Sequence, residues 1–316
     1  MLNGWIVLDK PVGLGSTQAV SAVKRALREA GEPKTRVGHG GTLDPLASGV
    51  LPIAIGEATK VAGRMLDATK EYAFTIAFGE ETDTLDTEGE VVGTSPVRPM
   101  LEQIEAILSR FTGEIEQVPP AYSALKIEGK PAYARARAGE DVEMKTRKVT
   151  IHSIFIRHPE LDSGPISPSA QTSPEWMLKH VQHDELTLSA IVSKGTYIRS
   201  LARDIARALG TVGHVSYLRR TRAGPFGLES AISLDFLNEL AKARDLTRAV
   251  LPLEAALDDI PALPVTPDQA KLLRHGQRLG GFPERPGLQL ATSEGTPVAL
   301  VEASADGLKV VRGFNL

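Results

Sequence analysis

The segment Gly38-His39-Gly40-Gly41-Thr42-Leu43-Asp44-Pro45-Leu46-Ala47-Ser48-Gly49 concentrates the most unusual chemistry of the chain. Its four glycines in twelve residues allow a backbone to approach a ligand closely. Asp44 is the only carboxylate in the stretch, and a carboxylate can serve as a nucleophile or a base. Asp before Pro also starts ordinary turns, so spacing alone leaves a turn and a reactive group both open. A phosphate cradle is a further reading, but the Gly-x-x-x-x-Gly-Lys-Ser/Thr pattern is absent. A second segment, Lys194-Gly195-Thr196-Tyr197-Ile198-Arg199, puts a cation in the first turn of an expected helix. The helix dipole disfavours a cation there by roughly 0.3–1 kcal/mol, so Arg199 calls for a specific anion, either a protein carboxylate or an RNA phosphate. Arg203 and Arg207 continue its stripe at i+4 and i+8, where a solvated face and a phosphate contact are equal readings.

The elements that must position these groups follow from periodicity and punctuation. Residues 5–8 read as a strand ending at Asp9-Lys10-Pro11. Ser16 or Thr17 is expected to cap a helix carrying Val20, Val23 and Leu27 on one face and closed by Gly31. Residues 37–52, rich in Gly and Pro, are expected to form a long structured loop, and 57–67 a short helix. Phe74, Ile76 and Phe78 share one face of a strand over 72–78, and Leu101, Ile104 and Leu108 form the apolar side of a helix over 100–111. Pro131 and Gly139 bracket a short basic helix. Residues 149–156 and 185–192 alternate as strands, and Thr196 is expected to cap a helix with Ile198, Leu201, Ala202, Ile205 and Leu209 inward. A strand near 215–218 and a helix capped by Ser233 follow. Strands and helices mix without regular alternation, which predicts α+β with a largely antiparallel sheet.

Two regions stand apart. Residues 158–184 hold four Ser and four Pro in 27 residues and read as a disordered insertion. The pair His180-x-x-His183 with Asp184 mimics a metal site, but it lies in that insertion, and no metal is expected. Beyond Pro261 the chain restarts with a short helix over 267–275 and brief strands, a small β-rich module.

Composition narrows the function classes. The chain has 316 residues, 42% hydrophobic and 24% charged, enough for one large domain and a small one. With no cysteine, disulfides and thiolate metal sites are excluded, which suits a reducing cytosol. The N-terminus has no charged leader before an apolar stretch, and runs such as 50–55 are too short to span a bilayer, so a cytoplasmic protein away from membranes is expected. The net charge is −3, but residues 194–222 carry seven Lys/Arg against one acid, and 122–148 carry seven against four. Two basic clusters in an acidic chain favour a local polyanion surface.

Several segments, in order, then resemble one family. These are Gly38-His39-x-Gly-x-Leu-Asp44-Pro45-Leu46-Ala47-x-Gly49, Lys70-x-Tyr72, Thr82-Asp83-Thr84-x-Asp86, Pro119-Pro120-x-Tyr122-Ser123-Ala124-x-Lys126, Gly195-Thr196-Tyr197-Ile198-Arg199 and Tyr217-Leu218-Arg219-Arg220. Together they closely resemble the bacterial TruB family of tRNA pseudouridine-55 synthases, over about residues 4–257. The resemblance implies a pseudouridine-synthase-like catalytic domain over 1–257, with an RNA-gripping insertion at about 117–149, and a C-terminal PUA-like RNA-binding module over 258–316. It implies Asp44 as the nucleophilic aspartate, Tyr72 as the tyrosine packed on the target base, and Arg199 as the arginine paired to the nucleophile. His39 matches the residue that fills the space left by the flipped nucleotide, and Tyr197 and Leu218 match pocket-lining positions. Lys10 and Pro11 match a motif that supports the catalytic loop, Asp86 an acid that holds the arginine, and Lys126 and Lys130 lie in the gripping segment. The implied partner is the T arm of tRNA, met by a monomer without guide RNA, cofactor or metal. Gly40 departs from the family, many of whose members have Thr there. The contending reading is a tRNA-binding or tRNA-folding protein whose catalysis is secondary.

Overall fold

The computed structural model describes residues 2–123, 125–127, 129–140, 142–157, 184–281 and 286–316. In chain order the elements are β1 (Gly4–Lys10), α1 (Ser16–Glu29), β2 (Val37–His39), β3 (Ser48–Ile55), α2 (Ala62–Asp67), β4 (Lys70–Phe78), β5 (Glu80–Thr82), β6 (Val91–Thr94), α3 (Leu101–Leu108), β7 (Gly113–Gln117), β8 (Lys126–Ile127) and β9 (Lys130–Pro131). They continue as α4 (Ala132–Arg137), β10 (Arg147–Ile156), β11 (Glu185–Val192), α5 (Ile198–Ala208), β12 (Gly213–Ala223), β13 (Phe226–Gly227), α6 (Leu234–Lys242), β14 (Ala262–Pro264), α7 (Pro267–Arg274), β15 (Gly287–Ser293), β16 (Thr296–Ser304) and β17 (Gly307–Gly313). The class is α+β with largely antiparallel sheets. No helix among the described residues is long and apolar enough to cross a membrane.

The chain divides into two compact units, one of residues 1–44, 49–67 and 223–316, the other of 45–48 and 68–222. In the first unit β3 pairs antiparallel with β1, from Gly4↔Ile55 to Lys10↔Gly49, and with β2. All eight residues of β3 are buried. The long loop expected over 37–52 is therefore shorter, because the apolar run from Val50 to Ile55 is drawn into the core and carries Pro52 with it. Only 40–47 remain outside strands. The same unit holds the C-terminal sheet, ordered β14-β15-β16-β17 and packed under α7 around Leu273, Val298, Val301 and Leu308. Thr266 and Gln269 cap α7 reciprocally, at 3.3 and 2.9 Å.

In the second unit the strands run β12-β4-β11-β10-β7. The expected face of Phe74, Ile76 and Phe78 is buried, and so are Ala73 and Thr75 on the other, as befits an inner strand. The Thr75 and Thr187 hydroxyls satisfy each other across β4 and β11 at 2.9 Å. The strands flanking the insertion pair directly, Ile156 opposite Leu188. Residues 158–183, with His180 and His183, lie outside the described residues, and Asp184 holds Arg98 at 2.6 Å.

Three caps differ from expectation. The N-cap of α1 is Gly15, whose N–H donates to the Gln18 side chain at 2.7 Å, while the Ser16 hydroxyl is engaged elsewhere. The N-cap of α5 is Tyr197, and Thr196 Oγ1 donates to Ser193 O at 3.0 Å. Pro131 belongs to the β8–β9 hairpin, so α4 begins one residue later. Ser233 caps α6 as expected, accepting from Phe236 N at 3.1 Å.

Candidate active site

In the first unit, Asp44 sits half-buried on the loop that leaves β2. The stem of this loop is held from α1. Ser16 Oγ accepts from Leu43 N at 2.8 Å and donates to Leu43 O at 2.9 Å, and both residues are buried. One hydroxyl thus satisfies the whole polar backbone of the residue before Asp44. The turn that presents Ser16 is tied in its own way. Lys10 is fully buried, and its ammonium donates to Pro11 O at 2.9 Å and Leu14 O at 2.7 Å. Pro11 itself is exposed. The cost of burying an ammonium is offset by these charge-assisted bonds, which fix the β1-to-α1 turn. His39 ends β2 half-buried, its Nδ1 accepting from Gly41 N at 3.4 Å.

Gly40 is buried, and its N–H donates to Pro52 O at 2.8 Å. A Cβ at this position would fall 2.6 Å from Met65 Cβ on α2. Packing therefore accounts for glycine at position 40. Met65 fills the volume a side chain at 40 would need.

In the second unit, the Thr82-Asp83-Thr84-x-Asp86 motif is a self-bonded turn. Asp86 Oδ1 accepts from Thr84 Oγ1 at 2.6 Å and Glu88 N at 3.0 Å, and Thr82 Oγ1 donates to Asp86 O at 2.6 Å. Leu85 within it has φ of +62°, a left-handed conformation that costs on the order of 1–3 kcal/mol for a side chain of this size. Its carbonyl accepts from Val215 N at 3.0 Å, and its own N–H bonds Thr82 O at 3.1 Å, so the turn is held against β12. The strained turn aims Asp86 Oδ2 at Arg199 Nη1, 3.2 Å away, with both side chains nearly fully buried. Arg199 also donates from Nη1 to Thr84 O at 2.7 Å and from Nη2 to Tyr122 O at 2.9 Å. The anion demanded by its place in the first turn of α5 includes the Asp86 carboxylate. Arg207 pairs with Glu81 at 2.9 Å, while Arg203 reaches Val118 O at 3.1 Å.

A clamp that the sequence did not signal holds residues 117–122 to the start of α5. The buried Gln117 side chain accepts from Tyr197 N at 2.8 Å and donates to Tyr197 O at 3.1 Å. Ser200 Oγ donates to Val118 O at 2.8 Å. The Arg147 guanidinium lies 6.0 Å from the Tyr197 ring centroid. Tyr72 on β4 is half-buried and Leu218 on β12 is buried, on neighbouring strands. The Tyr122 phenol donates to the Asp83 carboxylate, and this bond, with partial burial, pushes its pKa above the usual phenol value.

Lys126 and Lys130 are exposed on the β8–β9 hairpin, apart from the Arg199 cluster. The adjoining α4 shows Tyr133 to solvent with Arg137 over its ring at 5.7 Å, while Arg135 is paired to Glu140 at 2.6 Å. The site residues that sequence reasoning missed are Ser16, Gln117, Ser200 and Met65. Only Gln117 carried a signal, a polar residue directly before the Val118-Pro119-Pro120 run.

With this geometry in hand, two domain descriptions match the chain in succession. The TruB family pseudouridylate synthase N-terminal domain matches residues 24–198, and the tRNA pseudouridylate synthase B C-terminal domain matches 199–258. The chain is 59% identical to “tRNA pseudouridine synthase B” of Novosphingobium aromaticivorans, covering 100% of this chain and 98% of that one. It is 57% identical to the protein of the same name from Zymomonas mobilis, covering 99% and 96%. Among solved structures, “Structure of H/ACA RNP bound to a substrate RNA containing 2'-deoxyuridine” aligns with a TM-score of 0.67 at 25% identity, covering 99% of this chain and 85% of that one. “Crystal Structure of a Cbf5-Nop10-Gar1 Complex” aligns with a TM-score of 0.67 at 27% identity, covering 98% and 84%.

Proposed function

The chain belongs to the TruB family of pseudouridylate synthases, and from that premise we propose that it isomerises uridine 55 in the T arm of tRNA to pseudouridine with Asp44 as the catalytic carboxylate. The tRNA assignment is supported by full-length relatives at 59% and 57% identity that carry that name. The observation that carries Asp44 is the construction of its loop. A carboxylate needed only to start a turn has no use for a buried hydroxyl that brackets the preceding peptide from 27 residues away.

The reaction breaks the N1–C1′ bond of uridine, turns the base over and rejoins it through C5, which loses its hydrogen as a proton while N1 takes one up. It is redox-neutral and consumes no water. Asp44 serves as nucleophile toward C1′ or C6, or as base at C2′. The target base must leave its stack, at a cost of a few kcal/mol, and stacking on a ring such as Tyr72 returns roughly 1–3 kcal/mol. In this reading Arg199 supplies positive charge to the nucleophile and is itself oriented by Asp86. His39 occupies the space of the flipped nucleotide, Tyr197 and Leu218 line the base pocket, and Lys10 and Pro11 support the loop. Lys126 and Lys130 meet phosphates. Residues 1–257 form the catalytic domain, and residues 258–316 act as a PUA-like RNA-binding module. The enzyme works as a cytoplasmic monomer without guide RNA. The second reading, a tRNA-folding protein whose catalysis is secondary, needs neither the Ser16 clamp nor the strained turn at Leu85.

Purified protein incubated with unmodified tRNA transcript alone is expected to form pseudouridine at one T-arm position. Asp44→Asn is expected to abolish turnover while tRNA binding is retained. A tenth or more of wild-type turnover in the Asn protein would remove Asp44 from the chemistry.

A further inference from the structure

The exposed side of α1 is charged in a way that the proposed site does not use. Ala19, Val20, Val23, Ala26 and Leu27 are buried, while Lys24, Arg25 and Arg28 are exposed. At 3.6 residues per turn those three fall within an arc of roughly 100°. Lys34 and Arg36 are exposed on the segment that leads from α1 into β2. Over residues 24–36 the chain has five cations against two acids, Glu29 and Glu32, and Glu32 is turned to Leu2 N at 3.3 Å. None of the five cations has an ion pair or side-chain hydrogen bond among the described residues. Some cations elsewhere are paired, Arg64 with Asp259, Arg98 with Asp184 and Arg207 with Glu81.

A solvated face would account for part of this. Arg28, in the last turn, complements the helix dipole. Lys24 and Arg25 lie further from the helix end, and Lys34 and Arg36 lie beyond it. Position is the second consideration. The Arg36 carbonyl is fixed by Gly56 N at 2.8 Å, and α1 packs on β2. His39 follows Arg36 by three positions, so their Cα atoms are at most about 11 Å apart. This uncompensated positive surface therefore borders the loop that carries Asp44.

We propose that Lys24, Arg25, Arg28, Lys34 and Arg36 form a docking surface for phosphates of the RNA substrate other than that of the isomerised nucleotide. The inference rests on the reading of the chain as an enzyme acting on RNA. Charge complementarity argues for the occupant. An acidic protein that must hold a polyanion gains from local cations without partners, and a guanidinium offers a fork matched to phosphate oxygens. Contacts of this kind carry no sequence information, but they set register and salt dependence.

The test uses the full-length chain in two neutralised forms, Lys24→Gln/Arg25→Gln/Arg28→Gln and Lys34→Gln/Arg36→Gln. Affinity for unmodified tRNA transcript and for its isolated T-arm stem-loop is measured across a KCl series. The expected result is weaker binding at low salt and a salt slope shallower by about 0.7–0.9 for each phosphate no longer neutralised, or about 2–3 for the triple variant. Weakening on the whole tRNA alone places the surface beyond the arm, and weakening on both RNAs places it on arm phosphates. Either result supports the surface. A charge-conserving form, Lys24→Arg/Arg25→Lys/Arg28→Lys, is expected to keep the wild-type slope, which separates charge from folding. Salt slopes unchanged within error and affinities within twofold of wild type in both neutralised, folded variants overturn the proposal. Pseudouridine formation by the wild type on the same transcript tests the enzymatic reading independently.

Discussion

Replacing Ser16 by Ala isolates what the clamp on the Asp44 loop contributes. The substitution removes one hydroxyl and both of its bonds to Leu43, at 2.8 and 2.9 Å. Leu43 is only 4% exposed, so its N–H and C=O lose their partner in a place water does not reach. An unsatisfied buried group costs roughly 1–3 kcal/mol, which puts the pair at about 2–4 kcal/mol after partial relaxation. The loop has an outlet, because Thr42 and Pro45 on either side are exposed and Asp44 is half-exposed. Hydrating Leu43 requires residues 42–45 to shift outward, and the displacement then falls on Asp44. A misplacement of about 1 Å can cost on the order of 100-fold in rate. The expected outcome is a fall in single-turnover rate of roughly 30- to 100-fold at saturating RNA, with tRNA affinity unchanged. The thermal midpoint should fall by a few degrees, and Ser16→Thr, which keeps the hydroxyl, should recover most of the rate. Pseudouridine formation followed by tritium release, with a melting curve on the same sample, measures both. A rate within twofold of wild type, or an effect confined to KM, would refute the reasoning that Ser16 positions Asp44.

Arg199→Lys should lower turnover by two orders of magnitude or more. Arg199 reaches Asp86 and Thr84 O from Nη1 and Tyr122 O from Nη2, a fork that the point charge of an ammonium does not reproduce, and a near-normal single-turnover rate would count against a directed guanidinium. Asp86→Asn should destabilise the protein by about 3–5 kcal/mol in urea titration, since it strips the carboxylate from a buried cation. Gly40→Ala should cost about 1–3 kcal/mol through overpacking. Met65→Ala should not relieve it, because the clash is with Cβ, whereas Met65→Gly in the same chain should recover part of the stability. Replacing residues 158–183 by a Gly-containing turn should leave melting temperature and turnover within error, because β10 and β11 already pair across the gap. A several-fold fall in turnover at unchanged stability would show that the segment contributes to function.

Periodicity made the apolar faces of β4, α3 and α5 legible because those residues answer to their nearest neighbours in sequence. The same local logic misassigned Ser16. A serine ahead of an apolar helical pattern is the usual cap, yet its hydroxyl bonds residue 43, and Gly15 with Gln18 completes the helix end. Thr196 failed as a cap for the related reason that Ser193 O claims its hydroxyl. Residues 48–52 read as loop because Gly and Pro outvoted Val and Leu, while burial of all of β3 reversed the vote. Arg199 shows the opposite case. A cation at the wrong end of a helix is a local contradiction, and a contradiction of that kind can be read from sequence before its partner is known. Which acid answers it depends on a turn more than 110 residues away.

The arrangement at Tyr122 has a mechanical consequence. Its carbonyl is held by Arg199, the Val118 carbonyl by Ser200, and the Gln117 amide by the Tyr197 backbone. Four residues beyond Tyr122 begins the hairpin of Lys126 and Lys130. A pull on that hairpin reaches the Tyr122 carbonyl, and with it the guanidinium of Arg199, across only three intervening positions in sequence, with the first turn of α5 as its fulcrum. By reciprocity, whatever tightens Arg199 in its seat also stiffens the hairpin. The positions of the hairpin and of the guanidinium are two ends of one lever, and amide exchange at Val118, Ala121, Tyr122 and Ser123 is where its motion would register, Pro119 and Pro120 having no amide proton.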